Sequence, residues 1–219
     1  MKALHVSDTH GQFIPLEGEF DIIVHSGDLL INFSPQRKQL EAQRQEDWVI
    51  QNIEFFKTWI KDKPFFFCQG NHDFFDPCNT LKQHGINAIS ITNKVIEHEN
   101  IKFYGFPYVN YLGFWNNELT ERAMNLAIEN LISICNQEFI DILVAHNPPY
   151  KMLDRTHQKE YIGNRPLAIA IKNELFTHPP KFILSGHCHE NNGIYTHLLS
   201  KSRSIVISNA ATTQRIISL

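Results

Sequence analysis

The sequence predicts an α/β sandwich, and three observations predict it. Short runs rich in β-branched and aromatic residues alternate with longer segments whose apolar residues recur at helical spacing. Five of the short runs end directly in His, Asp or Asn. The 219 residues are 42% hydrophobic and 20% charged, enough apolar material for a full core, with no Pro/Gly/Ser-rich or charge-block linker. One domain over residues 1–219 is therefore expected.

In chain order, strands are expected over residues 2–7, 21–25, 65–69, 101–106, 140–145, 182–185, 193–199 and 204–208. The clearest helix runs from about Gln36 to Lys61, where Val49, Ile53, Phe56 and Ile60 share one face and Pro64 follows the end. A second runs from about Asn117 to Cys135, with Leu119, Ala123, Leu126, Ala127, Leu131 and Ile134 on its stripe. A third lies between Asn164 and Phe176, with Pro166 in its first turn. The stripes of the first two read as core-facing.

Composition narrows the function classes. The formal charge is -3, and the only basic cluster is Lys201-Ser202-Arg203, which disfavours a protein that tracks a long nucleic acid. Cys68, Cys78, Cys135 and Cys188 form no C-x-x-C pair and sit mostly in apolar runs, as buried free thiols of a reducing compartment do. The first eight residues lack the pattern of a secretory signal. No apolar run approaches the roughly 18 residues of a membrane span. A cytoplasmic location without membrane contact is expected. The anomaly is 12 histidines.

The strand ends account for part of that excess. Residues 3–7 lead into Asp8-Thr9-His10, residues 22–26 into Gly27-Asp28, and residues 65–69 into Gly70-Asn71-His72-Asp73. Residues 142–145 lead into His146-Asn147, and residues 182–185 into Gly186-His187-Cys188-His189. In open α/β sheets, sites assemble at the carboxyl ends of strands, so these five loops are expected to converge. Asp8 and His10, like His187 and His189, are two apart, a spacing that in extended backbone points both side chains of a pair at one centre. By the same alternation Cys188 should face away and be packed. Carboxylates, imidazoles and an amide suit a divalent ion such as Mn²⁺, Fe or Zn²⁺, and the lack of a thiolate cluster argues against a structural zinc. Each motif alone is weak, since Asp-Thr-His-Gly is also a good turn. The ordered set is what carries the metal-site reading.

That ordered set, D-x-H, G-D, G-N-H-D, H and G-H-x-H from Asp8 to His189, resembles the calcineurin-like metallophosphoesterases. Within them the chain looks most like the small metallophosphoesterase domain-containing branch, through Val24-His25-Ser26-Gly27-Asp28, Ala145-His146-Asn147-Pro148-Pro149 with Leu153-Asp154, Gly186-His187-Cys188-His189-Glu190 and Ser208-Asn209-Ala210. The resemblance implies a four-layered α-β-β-α sandwich of two mixed β-sheets, with a dinuclear metal site at the strand ends. It implies that Asp8, His10 and His189 hold one ion, that Asn71, His146 and His187 hold the other, and that Asp28 bridges them. Manganese is the foremost ion, with iron, zinc or nickel as alternatives.

A two-metal centre activates a bridging hydroxide against phosphorus, so the expected activity is hydrolysis of a small phosphoester, a diester or nucleotide first. A monoesterase with the same centre is the alternative, and a non-catalytic metal-binding scaffold is the alternative of a different class. The resemblance also implies that His72 acts as acid or stabiliser at the leaving oxygen, while Asp73 either orients His72 or caps the following turn. Residues 27–32 lack the G-D-x-x-D-R-G pattern of the protein serine/threonine phosphatases, which argues against a phosphoprotein substrate.

The other histidines, His5, His25, His84, His98, His157, His178 and His197, read as structural or solvent-facing, His25 being nearest the site. The aromatic segment from Phe103 to Trp115 reads first as core packing and loop anchoring, with nucleobase stacking as its functional alternative. Tyr150, Asp154 and Arg155 are expected at the border of the site.

Overall fold

Apolar runs that are buried on both faces form the centre of the molecule. The computed structural model describes residues 1–33, 37–200 and 203–219. Its elements follow in the order β1 (Lys2–Val6), β2 (Ile22–His25), α1 (Lys38–Gln51), α2 (Ile53–Ile60), β3 (Phe65–Phe67), α3 (Cys78–Gln83), β4 (Ala88–Ser90), β5 (Val95–His98), β6 (Ile101–Phe106), β7 (Val109–Asn110), β8 (Glu118–Leu119), α4 (Glu121–Glu138), β9 (Ile142–Ala145), α5 (Arg165–Lys172), β10 (Phe182–Ser185), β11 (Gly193–Leu198), β12 (Ser204–Asn209) and β13 (Gln214–Ser218). One sheet has the order β13-β1-β2-β3-β4, with β1 to β4 parallel and β13 antiparallel at the edge. The other has the order β11-β12-β10-β9-β6-β5, with four parallel strands between two antiparallel edges.

Strand alternation sorts the side chains into layers. Ala3, Val24 and Phe66 of the first sheet meet Phe103, Val144 and Leu184 of the second, and the Phe66 and Phe103 rings stack 4.6 Å apart across the interface. The opposite face of the first sheet, with Leu4, Ile23 and Phe65, receives Val49, Phe56, Ile60 and Leu81 from α1 to α3. The opposite face of the second, with Leu143, Ile183 and Ile207, receives Met124, Ile128 and Leu131 from α4 and Leu167 and Ile171 from α5. The result is an α-β-β-α sandwich. Each fully buried Leu, Ile or Phe contributes roughly 1.5–3 kcal/mol, so the three apolar layers hold the sheets in place.

The helices differ from expectation in instructive ways. The first expected helix is two: α1 ends at Asn52, whose backbone leaves helical geometry and whose carboxamide donates to the Trp48 carbonyl at 2.8 Å. Its buried line continues across the break through Val49, Ile53, Phe56 and Ile60. The expected start at Gln36 lies outside the described residues, as do Lys201 and Ser202 of the basic cluster. The second helix begins after Leu119, because Thr120 caps it by accepting the Ala123 N–H. Its core face is Met124, Ile128, Leu131 and Cys135, so the expected stripe is rotated and Leu126 stands exposed. In α5, Asn164 accepts the Leu167 N–H, Pro166 lies in the first turn, and the helix stops at Lys172. The strands β4, β5 and β13 and the helix α3 carried no clear periodic signal. β13 is an edge strand in which only Ile217 is buried. All four cysteines are free and buried. No helix among the described residues is long and apolar enough to cross a membrane.

Candidate metal centre

The five strand-end loops meet. Ligand atoms of Asp8, His10 and His189 lie within 4.8 Å of one another, as do those of Asp28, His146 and His187, and those of His10, Asp28 and His72. Asp28 and His10 each belong to two of these groups, so the three form one continuous cluster. Within it His189 Nε2 is 3.1 Å from Asp8 Oδ1, and His146 Nε2 is 3.3 Å from Asp28 Oδ2. Asn71 joins the second group, its Oδ1 3.1 Å from His146 Nε2.

The backbone that builds this cluster is not extended, which corrects the reasoning from paired spacing. Asp8, His10, Asp28 and His187 have φ of 55°, 46°, 57° and 65°, left-handed values that non-glycine residues adopt at a cost and that concentrate at functional sites. Residues two apart therefore need not point together. Asp8 and His10 do share a group, whereas His187 faces Asp28 and His146 while His189 faces Asp8. Cys188 between them is buried, its Sγ 3.8 Å from Glu190 Oε2. Gly27, at φ 113°, permits the closest approach of the loops: a Cβ there would lie 2.5 Å from His146 Nδ1 and 2.7 Å from the Gly70 nitrogen.

A layer of hydrogen bonds behind the cluster fixes its orientation. His146 Nδ1–H donates to the Ser26 carbonyl at 2.8 Å, which leaves Nε2 for the centre. Both Asp8 oxygens accept the His187 N–H, at 3.0 and 3.1 Å, and Asp28 Oδ1 accepts the His72 N–H at 2.8 Å. Asp73 neither orients His72 nor caps the next turn. Its carboxylate accepts the backbone N–H groups of Asp28 at 2.7 Å, Gly70 at 2.8 Å and Leu30 at 3.0 Å, so it ties two loops together.

Several residues in this layer escape sequence reasoning. Gln45 on α1 donates to the Ile31 and His72 carbonyls and accepts the Phe74 and Phe75 N–H groups. Asn116 and Asn117 donate to the Asp73 and Gly70 carbonyls. Asn32 meets His72 Nδ1, and Trp115 stacks on the His72 ring with centroids 4.0 Å apart. The aromatic segment thus divides: Phe103, Tyr104 and Phe106 are buried core, while Phe114 and Trp115 reach the rim of the site. His5 and His25 lie directly behind the cluster. His5 bridges the Ser208 and Ser26 hydroxyls, and His25 bonds Thr9 Oγ1 and the Gly27 N–H.

Electrostatics follow from burial and mutual charge. Burial works against ionisation of Asp28, yet His146, His72 and His10 hold its carboxyl far below the usual range. Burial likewise opposes the Asp8 charge, and the His189 hydrogen bond and His146 overcome it. Facing Asp28, His146 is lifted to about 9 against its own burial. Burial and His146 push His187 down to about 4, burial lowers His72, and the bond to Asp8 raises His189. Two buried carboxylates therefore remain ionised among imidazoles, and positive charge must compensate them. Carboxylate, imidazole and amide donors without thiolate fit divalent ions in that place, with protons leaving His146 and His189 as the ions enter.

A family model described as calcineurin-like phosphoesterase matches residues 1–191. "Metallophosphoesterase domain-containing protein 1" of Homo sapiens is 24% identical over 208 residues, covering 86% of this chain and 60% of that protein, and the Mus musculus protein gives the same figures. The chain thus spans about three-fifths of the length of these curated relatives. Among solved structures, a 5'-nucleotidase precursor from Thermus thermophilus aligns at 10% identity and TM-score 0.49, over 95% of this chain and 48% of that one. A dimetal phosphatase from Danio rerio aligns at 11% identity and TM-score 0.47, over 94% and 86%. Since the family model takes in all five strand-end motifs, the chain belongs to the calcineurin-like phosphoesterase family.

Proposed function

We propose that this chain is a divalent-metal-dependent phosphoester hydrolase acting on small phosphodiesters, nucleotides among them. The observation that carries this reading is the pair of ligand groups, Asp8–His10–His189 and Asp28–His146–His187, contiguous through His10, Asp28 and His72. Asp8, His10 and His189 would hold one ion and Asn71, His146 and His187 the other, with Asp28 serving both. Manganese is the first candidate. Such ions, when bound, supply Lewis acidity toward phosphoryl oxygens and a water of lowered pKa.

The rest falls to side chains of this chain. Ser26 fixes the His146 tautomer, and Asp73 holds the Asp28 loop against the Gly70 loop. His72 Nε2 stands 3.9 Å from Asp28 Oδ2, at the rim of both ligand groups. From there it donates a proton or hydrogen bond to the leaving oxygen, worth about 10²–10⁴ in rate. The family hosts many substrates, so the ester class rests on the formal charge of -3, which disfavours long polyanions, and on the lack of an arginine in residues 27–32.

The test is metal analysis of the purified protein with hydrolysis of bis(p-nitrophenyl) phosphate and p-nitrophenyl phosphate under Mn²⁺, Fe²⁺, Zn²⁺ and Ni²⁺. Faster turnover of the diester, abolished by chelation, is expected. Preference for the monoester reassigns the substrate class, and bound metal without turnover of any phosphoester leaves a metal-binding scaffold.

A further inference from the structure

We infer that Asn32 is the positioning residue of His72, its carboxamide pinning Nδ1 so that the protonated Nε2 is aimed at the centre beside Asp28. The inference rests on the hydrolase reading for its catalytic consequence and on geometry for its structural one.

Three sides of the His72 ring are occupied. Asn32 Nδ2 lies 2.5 Å from Nδ1, Trp115 stacks on the ring with centroids 4.0 Å apart, and His10 meets it in a T-shaped contact at 4.8 Å. The backbone is pinned as well, through the 2.8 Å bond from the His72 N–H to Asp28 Oδ1. The ring atom that remains is Nε2, 3.9 Å from Asp28 Oδ2.

Asn32 itself gains little from its position. Its Oδ1 is shut off from solvent without a hydrogen-bond partner among the described residues. An unmet buried acceptor costs roughly 1–3 kcal/mol, which marks a side chain placed for something other than its own stability.

An amide suits the task because its Nδ2–H can only donate. With Nδ2–H donating to Nδ1, the single proton of a neutral imidazole sits on Nε2. Nε2–H then donates its hydrogen bond toward the leaving oxygen, which keeps the electron pair when the phosphorus–oxygen bond breaks. The Trp115 main chain is held as well: its carbonyl accepts from Lys38 Nζ at 2.7 Å and its backbone N–H donates to Glu118 Oε1 at 3.1 Å, which keeps the residue beside His72.

The test is Asn32→Leu, which removes the bond and keeps the side-chain volume. On methyl phenyl phosphate, a diester with a poor leaving group, Asn32→Leu should lower kcat about 10–100-fold with KM unchanged. On the p-nitrophenyl counterpart the loss should be under about 3-fold, because that oxygen leaves without an acid. In a His72→Asn background Asn32→Leu should cost nothing further. Nitrogen-15 NMR of the Zn²⁺-loaded protein should show His72 protonated at Nε2 in the wild type and mixed tautomers in Asn32→Leu.

Equal losses on both esters, or an undiminished loss in the His72→Asn background, would overturn the assignment. If the wild type hydrolyses neither ester, the hydrolase reading fails, and the NMR comparison still decides whether Asn32 sets the His72 tautomer.

Discussion

The carboxylate of Asp73 accepts the backbone N–H of Asp28 at 2.7 Å, and through two further bonds to Gly70 and Leu30 it locks one ligand loop to another. Asp28 has a left-handed backbone, so something must hold it there. Removing the acceptor leaves three backbone donors without a partner, each costing roughly 1–3 kcal/mol before relaxation. Asp73→Ala should therefore destabilise the fold by at least about 3 kcal/mol in urea denaturation, and Asp73→Asn, which retains one accepting oxygen, by less. An unchanged denaturation midpoint for Asp73→Ala would contradict this role.

Asp28 and His189 should separate the two ions. Asp28 is buried and shared between ligand groups, whereas the His189 side chain is 44% exposed and touches only the Asp8 side of the cluster. Asp28→Asn should abolish binding of both ions and lower turnover by at least about 100-fold. His189→Ala should lose one ion and keep the other. Metal content by mass spectrometry after dialysis distinguishes these outcomes, and equal stoichiometry in the two variants would rule out a shared Asp28.

Gly186 offers a steric route to the same division. A Cβ on Gly186 would overlap Asp8 Oδ2 and Ser7 Oγ, both buried at the end of β1. The Asp8 carboxylate would have to move, and with it the acceptor for the His187 N–H. Gly186→Ala is expected to weaken the ion held by Asp8, His10 and His189 by about 10–100-fold, the scale of a disturbed supporting contact. Calorimetric titration with Mn²⁺ measures it.

How much of this was legible depends on where apolar contrast exists. The central strands were readable because β2, β3 and β9 are buried along their whole length, and their ends were readable because His, Asp and Asn interrupt such runs abruptly. α1 was half legible for the opposite reason. Its buried positions begin as Glu41 and Gln45 before Val49, because that end of the helix faces polar loops of the site rather than the sheet. A polar residue placed for hydrogen bonding carries no hydropathy signal, so the buried Gln45, the half-buried Asn32 and the role of Asp73 were invisible. The grouping of His187 apart from His189 was hidden for a different reason: φ at His187 is positive, and spacing rules assume that it is not.

His5 provides a test that needs no metal. It is fully buried, with Nδ1 2.9 Å from the Ser208 hydroxyl and Nε2 2.9 Å from the Ser26 hydroxyl, and burial together with His25 pushes its pKa down to about 3. A neutral imidazole has one donor and one acceptor, which two hydroxyls satisfy completely. In the unfolded chain the same group titrates near 6.5. Between those values the unfolded state binds a proton that the native state refuses, so stability is full above about pH 6.5 and falls as pH is lowered toward about 3. The slope from this one group approaches about 1.4 kcal/mol per pH unit. His5→Asn removes the titration, so the variant should be less stable than wild type at pH 7.5 and should lose less on acidification. Urea midpoints at pH 7.5, 6.0 and 5.0, with both proteins in chelator, should show the gap between them narrowing as pH falls. A constant gap would mean that His5 titrates in the native protein as it does in solution.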